Sequence, residues 1–179
     1  MIEALTRARV VPVVRAADGG AALAATARLV EAGHDVVELT AATDGWAGAL
    51  AEARRRWPEI LLGAGTLRTR DDAERALEAG AEFLVSASPA PEVREVAARE
   101  AATFLEGGFT PSEVLAASAR GPAKLFPAHV GGPAYVRSLL AVLPGAAIVP
   151  TGGVQLEDID EYLEAGAIAV GVNADRLIS

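Results

Sequence analysis

Ala79-Gly80-Ala81-Glu82-Phe83-Leu84-Val85-Ser86 is the stretch that decides the fold, because it joins the end of a helix to the start of a strand. Its glycine stands where a helix closes. The short apolar run that follows is typical of a buried strand. The pairs Ala32-Gly33 and Ala165-Gly166 hold the same position ahead of two further apolar runs. This repeated unit predicts an α/β protein in which parallel strands alternate with helices.

Short apolar runs alternate with alanine-rich amphipathic segments along the whole chain. We predict eight strands, at Val10 to Arg15, Val36 to Thr40, Leu61 to Thr66, Phe83 to Ser88, Thr103 to Gly107, Ala123 to Pro127, Ala147 to Thr151 and Ile168 to Val172. Asp18, Thr69 and Thr110 are predicted to cap the N-termini of intervening helices. Eight strand and helix units favour a closed (β/α)8 TIM barrel over an open doubly wound sheet, which usually has about five or six strands.

The chain has 179 residues, enough for one sizeable core, and no Pro/Ser-rich linker divides it, so residues 1–179 are predicted to form a single domain. After Val172 only Asn173 to Ser179 remain, which is too short for a full closing helix. We therefore expect the final helix to be truncated or absent and one side of the barrel to be bare. A partner subunit or a short N-terminal helix near Ile2 to Ala8 would then have to cover that apolar flank.

Composition argues against several classes of function. The formal charge of -8 and the absence of a basic cluster, apart from Arg54 to Arg56 in a helical segment, argue against nucleic-acid binding. With no cysteine, the chain has no disulfide, thiolate metal site or cysteine nucleophile. Met1 to Thr6 lacks a signal-peptide core, and no apolar run approaches the roughly 20 residues of a membrane span. We therefore expect a cytoplasmic protein that does not contact membranes.

Lys124 is the single charged residue in the apolar run Ala123 to Ala128. Removing an ammonium group from water is costly, so this side chain either extends into solvent or lies where the neutral amine is favoured. In the second case the amine can attack a carbonyl and form a Schiff base. The segment alone leaves a surface lysine and a nucleophile equally open.

In a TIM barrel the active site lies at the C-terminal ends of the strands. The polar residues at the predicted strand ends are Arg15, Glu38, Thr40, Thr66, Ser86, Ser88, Glu106, Lys124, Thr151 and Asn173. Alternation places Glu38 with Thr40 on one face of strand two, and Lys124 with Phe126 on one face of strand six. A buried glutamate and lysine could be a structural ion pair. As functional groups they make a base and an amine nucleophile.

These residues, in this order, resemble the 2-keto-3-deoxy-6-phosphogluconate (KDPG/KHG) aldolase family. The matching segments are collinear over nearly the whole chain: Val37-Glu38-Leu39-Thr40, Gly63-Ala64-Gly65-Thr66, Ala79-Gly80-Ala81-Glu82-Phe83, Thr110-Pro111-Ser112-Glu113, Lys124-Leu125-Phe126-Pro127 and Pro150-Thr151-Gly152-Gly153. The resemblance implies a lyase, a class I aldolase that reversibly cleaves a 2-keto-3-deoxy sugar acid to pyruvate and an aldehyde. It also implies that no metal or other cofactor is needed and that the protein is a homo-oligomer, commonly a trimer.

The resemblance also implies individual residue roles. Lys124 would form the Schiff base with the keto carbon of pyruvate, and Glu38 would shuttle protons through a water. Thr66 and Thr151 match hydroxyl positions that hold the pyruvate carboxylate and the substrate. Phe126 matches an aromatic wall beside the imine.

Two departures concern the groups that would bind anions. The strand-two arginine that many members use to grip the carboxylate would fall at Ala42 and is absent. Arg15 stands where some branches carry an arginine instead, and a bidentate guanidinium suits a carboxylate; the alternative is a rim charge paired with Glu38. Gly152 and Gly153 can offer backbone N–H groups to a phosphate near the start of the following helix.

Further departures leave recognition of a phosphorylated substrate open. After strand eight, Asn173 and Ala174 stand in place of a glycine and a serine of the family pattern. Glu106 replaces a proline at strand five, and it either faces the mouth, where it would repel an anion, or tilts to the solvated rim. His129, at the catalytic face, could titrate near neutral pH, but no second metal ligand lies nearby in sequence. A second hypothesis is therefore a catalytically silent or repurposed barrel that binds a small anion or a protein partner.

Overall fold

Parallel strands alternate with helices in the computed structural model, which describes residues 1–178. The strands are β1 (Val10–Val14), β2 (Val36–Thr40), β3 (Leu61–Gly65), β4 (Phe83–Val85), β5 (Thr103–Gly108), β6 (Ala123–Leu125), β7 (Ile148–Pro150) and β8 (Val170–Asn173). The helices are α1 (Ile2–Ala8), α2 (Gly19–Glu31), α3 (Trp46–Arg56), α4 (Arg70–Glu78), α5 (Pro91–Arg99), α6 (Pro111–Ser118), α7 (Ala128–Val142), α8 (Ile159–Glu164) and α9 (Ala174–Leu177). A short 3-10 helix, Leu156–Asp158, precedes α8.

The strands form one closed barrel. They pair in the order β7-β6-β5-β4-β3-β2-β1-β8, and every pairing between them is parallel. Between β7 and β8 the ring is closed by a parallel bridge from Thr151 to Gly171 and by the Ile168 N–H, which donates to the Ile148 carbonyl at 3.0 Å. The predicted (β/α)8 barrel is confirmed.

Alternation divides the side chains of each strand between the barrel interior and the layer beneath the helices. The N-terminal ends of the strands form the lower end of the barrel, and the interior there is filled by Val11, Val36, Phe83, Val85, Leu105, Val149 and Ala169. Outward-facing side chains such as Val37, Leu39 and Leu62 pack against the helices in a separate cluster. Because the interior is packed at its lower end, only the upper end of the barrel is left for a ligand.

The N-terminal helix α1 closes the lower end of the barrel. Leu5 is fully buried among interior side chains such as Phe83 and Leu105. The expectation that this helix covers a bare flank is therefore wrong. The short α9 packs against β1 and α2 instead, and its neighbour Ile178 joins the apolar cluster there, so the flank beside β8 is covered.

The three predicted helix caps are confirmed. The Asp18 carboxylate accepts the Ala21 N–H at 2.9 Å, and Thr69 and Thr110 each form a capping box with the acidic residue three positions on. Within residues 1–178, no helix has the length and apolar character needed to cross a membrane.

Candidate active site

A cavity of about 300 Å³ opens at the C-terminal ends of the strands. Ten of the residues singled out from the sequence line it: Arg15, Glu38, Thr40, Thr66, Lys124, Phe126, Thr151, Gly152, Gly153 and Asn173. Val13, Ala87, Val154, Gly171 and Arg176 complete the lining. These ten residues thus share one cavity, and Arg176 is the charged residue that sequence reasoning missed.

Lys124 and Glu38 meet inside the barrel. Lys124 Nζ lies 3.3 Å from Glu38 Oε1, and the two side chains are only 5% and 4% exposed. Lys124 is the middle residue of β6, so it faces inward while Ala123 and Leu125 face the helix layer. The surface-lysine alternative is therefore wrong. Since both groups line the cavity, a bound molecule can reach the amine and the carboxylate together.

Glycines at inward positions make room for these side chains. A Cβ at Gly65 on β3 would lie 1.8 Å from Glu38 Oε1, and a Cβ at Gly171 on β8 would lie 2.3 Å from Thr151 Oγ1. Neither position accepts a larger residue without displacing its neighbour. The matching segments contained Gly65, but its steric role becomes visible only when β2 and β3 are placed side by side.

Hydroxyl groups line the cavity near the ion pair. Thr40 is buried, and within the described part of the chain its Oγ1 has no hydrogen-bond partner. Thr151 Oγ1 donates weakly to the Val149 carbonyl, at 3.4 Å. Thr66 follows β3 with φ at 62°, a left-handed backbone that costs a β-branched residue about 1–3 kcal/mol. Strained backbone of this kind is concentrated at functional sites, which agrees with the position of Thr66 in the cavity wall.

Two arginines stand at the mouth. Arg15 lies just beyond β1, is exposed, and makes no ion pair with any residue in the range 1–178. The alternative that Arg15 pairs with Glu38 is wrong, because the partner of Glu38 is Lys124. Arg176 reaches the cavity from α9 and donates to Gln155 Oε1. The Gln155 side-chain amide in turn donates to the Gly153 carbonyl at 3.0 Å.

The loop after β7 lines the cavity on the side of Arg176, to which it is linked through Gln155. Gly152 and Gly153 have φ values of 94° and 73°, which favour glycine, and neither backbone N–H has an acceptor among the residues described. The ring of Phe126 lies against Gly152, with its centroid 5.9 Å from Lys124 Nζ. Asn173 lines the cavity while its Oδ1 accepts the Asp175 N–H at 2.9 Å, so this side chain also caps α9.

Glu106 does not face the cavity, and both expectations for it are wrong. On β5 its neighbour Leu105 points into the barrel, so Glu106 points outward, where it is 4% exposed. It accepts the Ala90 N–H at 2.9 Å and forms an ion pair with Arg94. The Arg94 guanidinium donates to the Glu106 carboxylate, and this side-chain hydrogen bond is the main reason that the pKa of Arg94 is raised. This carboxylate anchors the start of α5 and does not repel a ligand in the cavity.

Two further polar residues from the sequence analysis, Ser86 and His129, form hydrogen bonds to the loops at the mouth of the cavity. Ser86 lies beyond the end of β4; its hydroxyl donates to the Ser88 carbonyl at 2.7 Å and accepts the Gly107 N–H at 3.0 Å. His129 is exposed in the first turn of α7, with Nδ1 3.2 Å from the Gly152 carbonyl oxygen. Both therefore fix loops around the mouth, and neither is part of the cavity wall.

Fold and site together define a class of protein: a TIM barrel whose open cavity holds a buried amine beside a carboxylate, the pair of groups that Schiff-base chemistry uses. The family model for KDPG and KHG aldolases matches residues 1–177. The chain belongs to that family.

Relatives in this family span most of the chain. A 2-dehydro-3-deoxy-phosphogluconate aldolase of Treponema pallidum is 34% identical over 166 residues, covering 91% of this chain and 79% of that protein. A probable 2-dehydro-3-deoxy-6-phosphogalactonate aldolase of Rhizobium meliloti is 33% identical over 150 residues, covering 82% and 71%. Among solved structures, the KDPG aldolase of Legionella pneumophila, with pyruvate captured as a covalent carbinolamine, has a TM-score of 0.87 and 27% identity, covering 95% of this chain and 84% of that one.

Proposed function

We propose that the protein is a class I aldolase that reversibly cleaves a 2-keto-3-deoxy sugar acid to pyruvate and an aldehyde. The observation that carries the proposal is the pair of Lys124 Nζ and Glu38 Oε1, 3.3 Å apart and buried in the wall of an open cavity. The relative that was captured with pyruvate as a covalent carbinolamine supports the same chemistry.

Lys124 is the nucleophile of the proposed reaction. Its neutral amine attacks the C2 keto carbon, and loss of water from the carbinolamine gives a protonated imine. The cationic nitrogen attracts electrons, so the C3–C4 bond breaks, the C4 hydroxyl gives up its proton, and the aldehyde leaves. The electron pair of that bond forms an enamine, which takes a proton at C3. Water then hydrolyses the imine, releasing pyruvate and restoring the amine.

Glu38 is the group assigned to the proton transfers, because its carboxylate is within hydrogen-bonding reach of the amine, directly or through one water. Thr40 Oγ1 is buried without a partner in the described chain and suits a water or a substrate hydroxyl beside Glu38. Arg15 is assigned to the C1 carboxylate, which a guanidinium can bind through two hydrogen bonds. Phe126 forms the aromatic side of the imine pocket.

Borohydride trapping tests the proposal. Incubation with pyruvate followed by reduction should add one reduced pyruvate to the protein mass. Lys124 is the only lysine in the chain, so peptide mapping needs to separate it only from the N-terminal amine. An adduct on Lys124 supports the aldolase. An unchanged mass favours the silent or repurposed barrel.

Two substitutions test the roles of the pair. Lys124→Met should abolish the adduct and pyruvate release, and Glu38→Gln should slow turnover by roughly 10² to 10⁴ while an adduct still forms. Removing one partner of a buried ion pair costs about 3–5 kcal/mol, so circular dichroism must establish that each variant is folded. Glu59→Gln, at an exposed carboxylate near the lower end of the barrel, is the matched control. Wild-type turnover in Glu38→Gln would remove Glu38 from the mechanism.

A further inference from the structure

We propose that Ser86 is a positioning residue for the aldolase reaction: its hydroxyl holds the backbone of Ala87 and Ser88 inside the barrel, where that backbone forms the cavity wall beside Lys124. The inference rests on the proposed function and deepens it, because it assigns a role in the reaction to a residue that does not itself line the cavity.

The position next to Lys124 in the barrel interior belongs to Gly107 on β5. Gly107 pairs with Lys124 across β5 and β6, and neighbouring strands lie about 4.8 Å apart. Leu105 points into the barrel, so Gly107, two residues further along the same strand, faces the interior as well. A side chain at position 107 would therefore stand beside that of Lys124, and glycine leaves this place to another group.

Backbone of the loop after β4 occupies that place. A Cβ at Gly107 would lie 2.3 Å from the carbonyl carbon of Ala87 and 2.5 Å from the backbone nitrogen of Ser88. Ala87 also lines the cavity. The peptide group between Ala87 and Ser88 thus fills the interior beside Lys124, where other strand positions present side chains. Because this group is planar and has no rotamers, its position is set by whatever holds the loop.

Ser86 ties this peptide group to the strand that it covers. Ser86 is 1% exposed, and its hydroxyl donates to the Ser88 carbonyl at 2.7 Å while accepting the Gly107 N–H at 3.0 Å. One hydroxyl therefore joins the loop to the glycine against which the loop packs. Without this hydroxyl the loop would lose that link, and the buried Gly107 N–H would lose its acceptor.

The position of this backbone matters because its polar groups are free. Neither the N–H nor the C=O of Ala87 has a hydrogen-bond partner among residues 1–178, although Ala87 lies in the cavity wall. Backbone groups of folded proteins are nearly always paired, so those left free at a cavity are available to a bound molecule. A keto acid attached to Lys124 would lie next to them. Displacing such a wall by about 1 Å is enough to slow a reaction by about 10²-fold.

Exchange of the pyruvate methyl protons with deuterium oxide, followed by NMR, tests the inference. The exchange requires the imine and the enamine at Lys124, and it needs no aldehyde. In Ser86→Ala, kcat for exchange should fall by about 10- to 100-fold, whereas KM should change by less than about threefold, because Arg15, which is assigned to the carboxylate, is untouched. Each rate is measured well below the unfolding transition of the variant.

Thr26→Val is the matched control. Thr26 is fully buried in α2, and its hydroxyl donates to the Ala22 carbonyl at 2.9 Å, so the substitution removes a buried hydroxyl and its hydrogen bond away from the cavity. Its kcat for exchange should match the wild type. The inference is overturned by a fall of less than about tenfold in folded Ser86→Ala, by a loss confined to KM, or by an equal fall in Thr26→Val.

A second variant displaces the same backbone directly. In Gly107→Ala the new Cβ takes the place of the peptide group between Ala87 and Ser88, and kcat should fall at least as far as in Ser86→Ala. If Ser86 acts through this peptide group, the double variant should be no slower than Gly107→Ala alone; losses that multiply would overturn the inference. Where Gly107→Ala does not fold, Ser86→Ala and Thr26→Val decide the question.

The outcomes separate this inference from the proposed function. If the wild type shows neither exchange nor the Lys124 adduct, the proposed function and this inference fail together. If exchange in folded Ser86→Ala matches the wild type, only the role of Ser86 is overturned, and the aldolase assignment stands.

Discussion

At the scale of single residues, the site depends on where side chains are missing as much as on where they are present. Glu38 can turn toward Lys124 because the neighbouring inward position on β3 is Gly65, where a Cβ would lie 1.8 Å from the carboxylate oxygen. Gly63 on the same strand leaves space for the ring of Phe83, 2.2 Å from a hypothetical Cβ. The two inward glycines of β3 therefore leave room for Glu38, a candidate catalytic residue, and for Phe83 in the barrel interior.

Gly65→Ala should push the Glu38 carboxylate away from Lys124. We expect an overpacking cost of about 1–3 kcal/mol and a fall in kcat of about 10²-fold, the loss that follows when a reacting group is misplaced by about 1 Å. The pyruvate adduct should still form, because the amine is untouched. Gly48→Ala is the control: a Cβ there meets no atom within 4 Å, and an alanine inside α3 should stabilise the protein by about 0.5–1 kcal/mol. Wild-type kcat in folded Gly65→Ala would contradict the steric argument.

The individual site residues were predictable where chemistry and strand position agreed. Lys124 and Glu38 stand out because a charge in an apolar strand requires a partner. Arg176 was not predictable, because its place at the cavity depends on contact with Gln155, 21 positions away across β8. A linear pattern carries no signal for such a contact between the last two βα units.

At the scale of elements, the glycines at helix ends indicated where the strands begin. The sequence did not indicate the direction in which some strand side chains point. The strands are buried on both faces, as β2 is from Val36 to Thr40, so polarity does not alternate and cannot indicate which side faces the barrel. Glu106 illustrates the consequence: its outward direction follows from the inward packing of Leu105, which only the assembled barrel reveals. Helix starts were easier to predict, because Thr110 and Glu113 satisfy backbone N–H groups locally.

The capping box of α6 gives a prediction about pH. Hydrogen bonds from the backbone N–H groups of Thr110 and Phe109 hold the pKa of the Glu113 carboxyl below its usual 4.5. Because the unfolded chain then binds this proton more readily than the folded chain, the stabilisation is complete above about pH 4.5 and is lost as the pH falls through the lowered value. Glu113→Gln keeps an oxygen acceptor but has no carboxyl group to protonate, so the free energy of unfolding of this variant should fall less as the pH is lowered.

Urea unfolding midpoints between neutral pH and pH 3 measure the effect. Glu113→Ala should already lose about 1 kcal/mol at pH 7, because the N–H groups lose their acceptor. Glu164→Gln, at an exposed carboxylate of α8, serves as the control. If the free energy of unfolding of Glu113→Gln falls with pH as steeply as that of the wild type, protonation of Glu113 does not contribute to the acid dependence of stability.

At the scale of the whole molecule, the barrel has a packed end and an open end, and α1 belongs to the packed end. Leu5 joins the interior cluster of Phe83 and Leu105, while the cavity lies at the opposite ends of the strands.

Leu5→Ala should therefore cost about 2–5 kcal/mol through lost burial and a residual cavity. Ile2→Ala, on the same helix but with Ile2 45% exposed, should change the free energy of unfolding by less than about 0.5 kcal/mol. Urea unfolding measures both, and kcat measured well below the unfolding transition should match the wild type in each variant, since neither residue approaches the cavity. A loss of kcat in folded Leu5→Ala would mean that packing at the lower end positions Lys124 and Glu38, and that the two ends of the barrel are not independent.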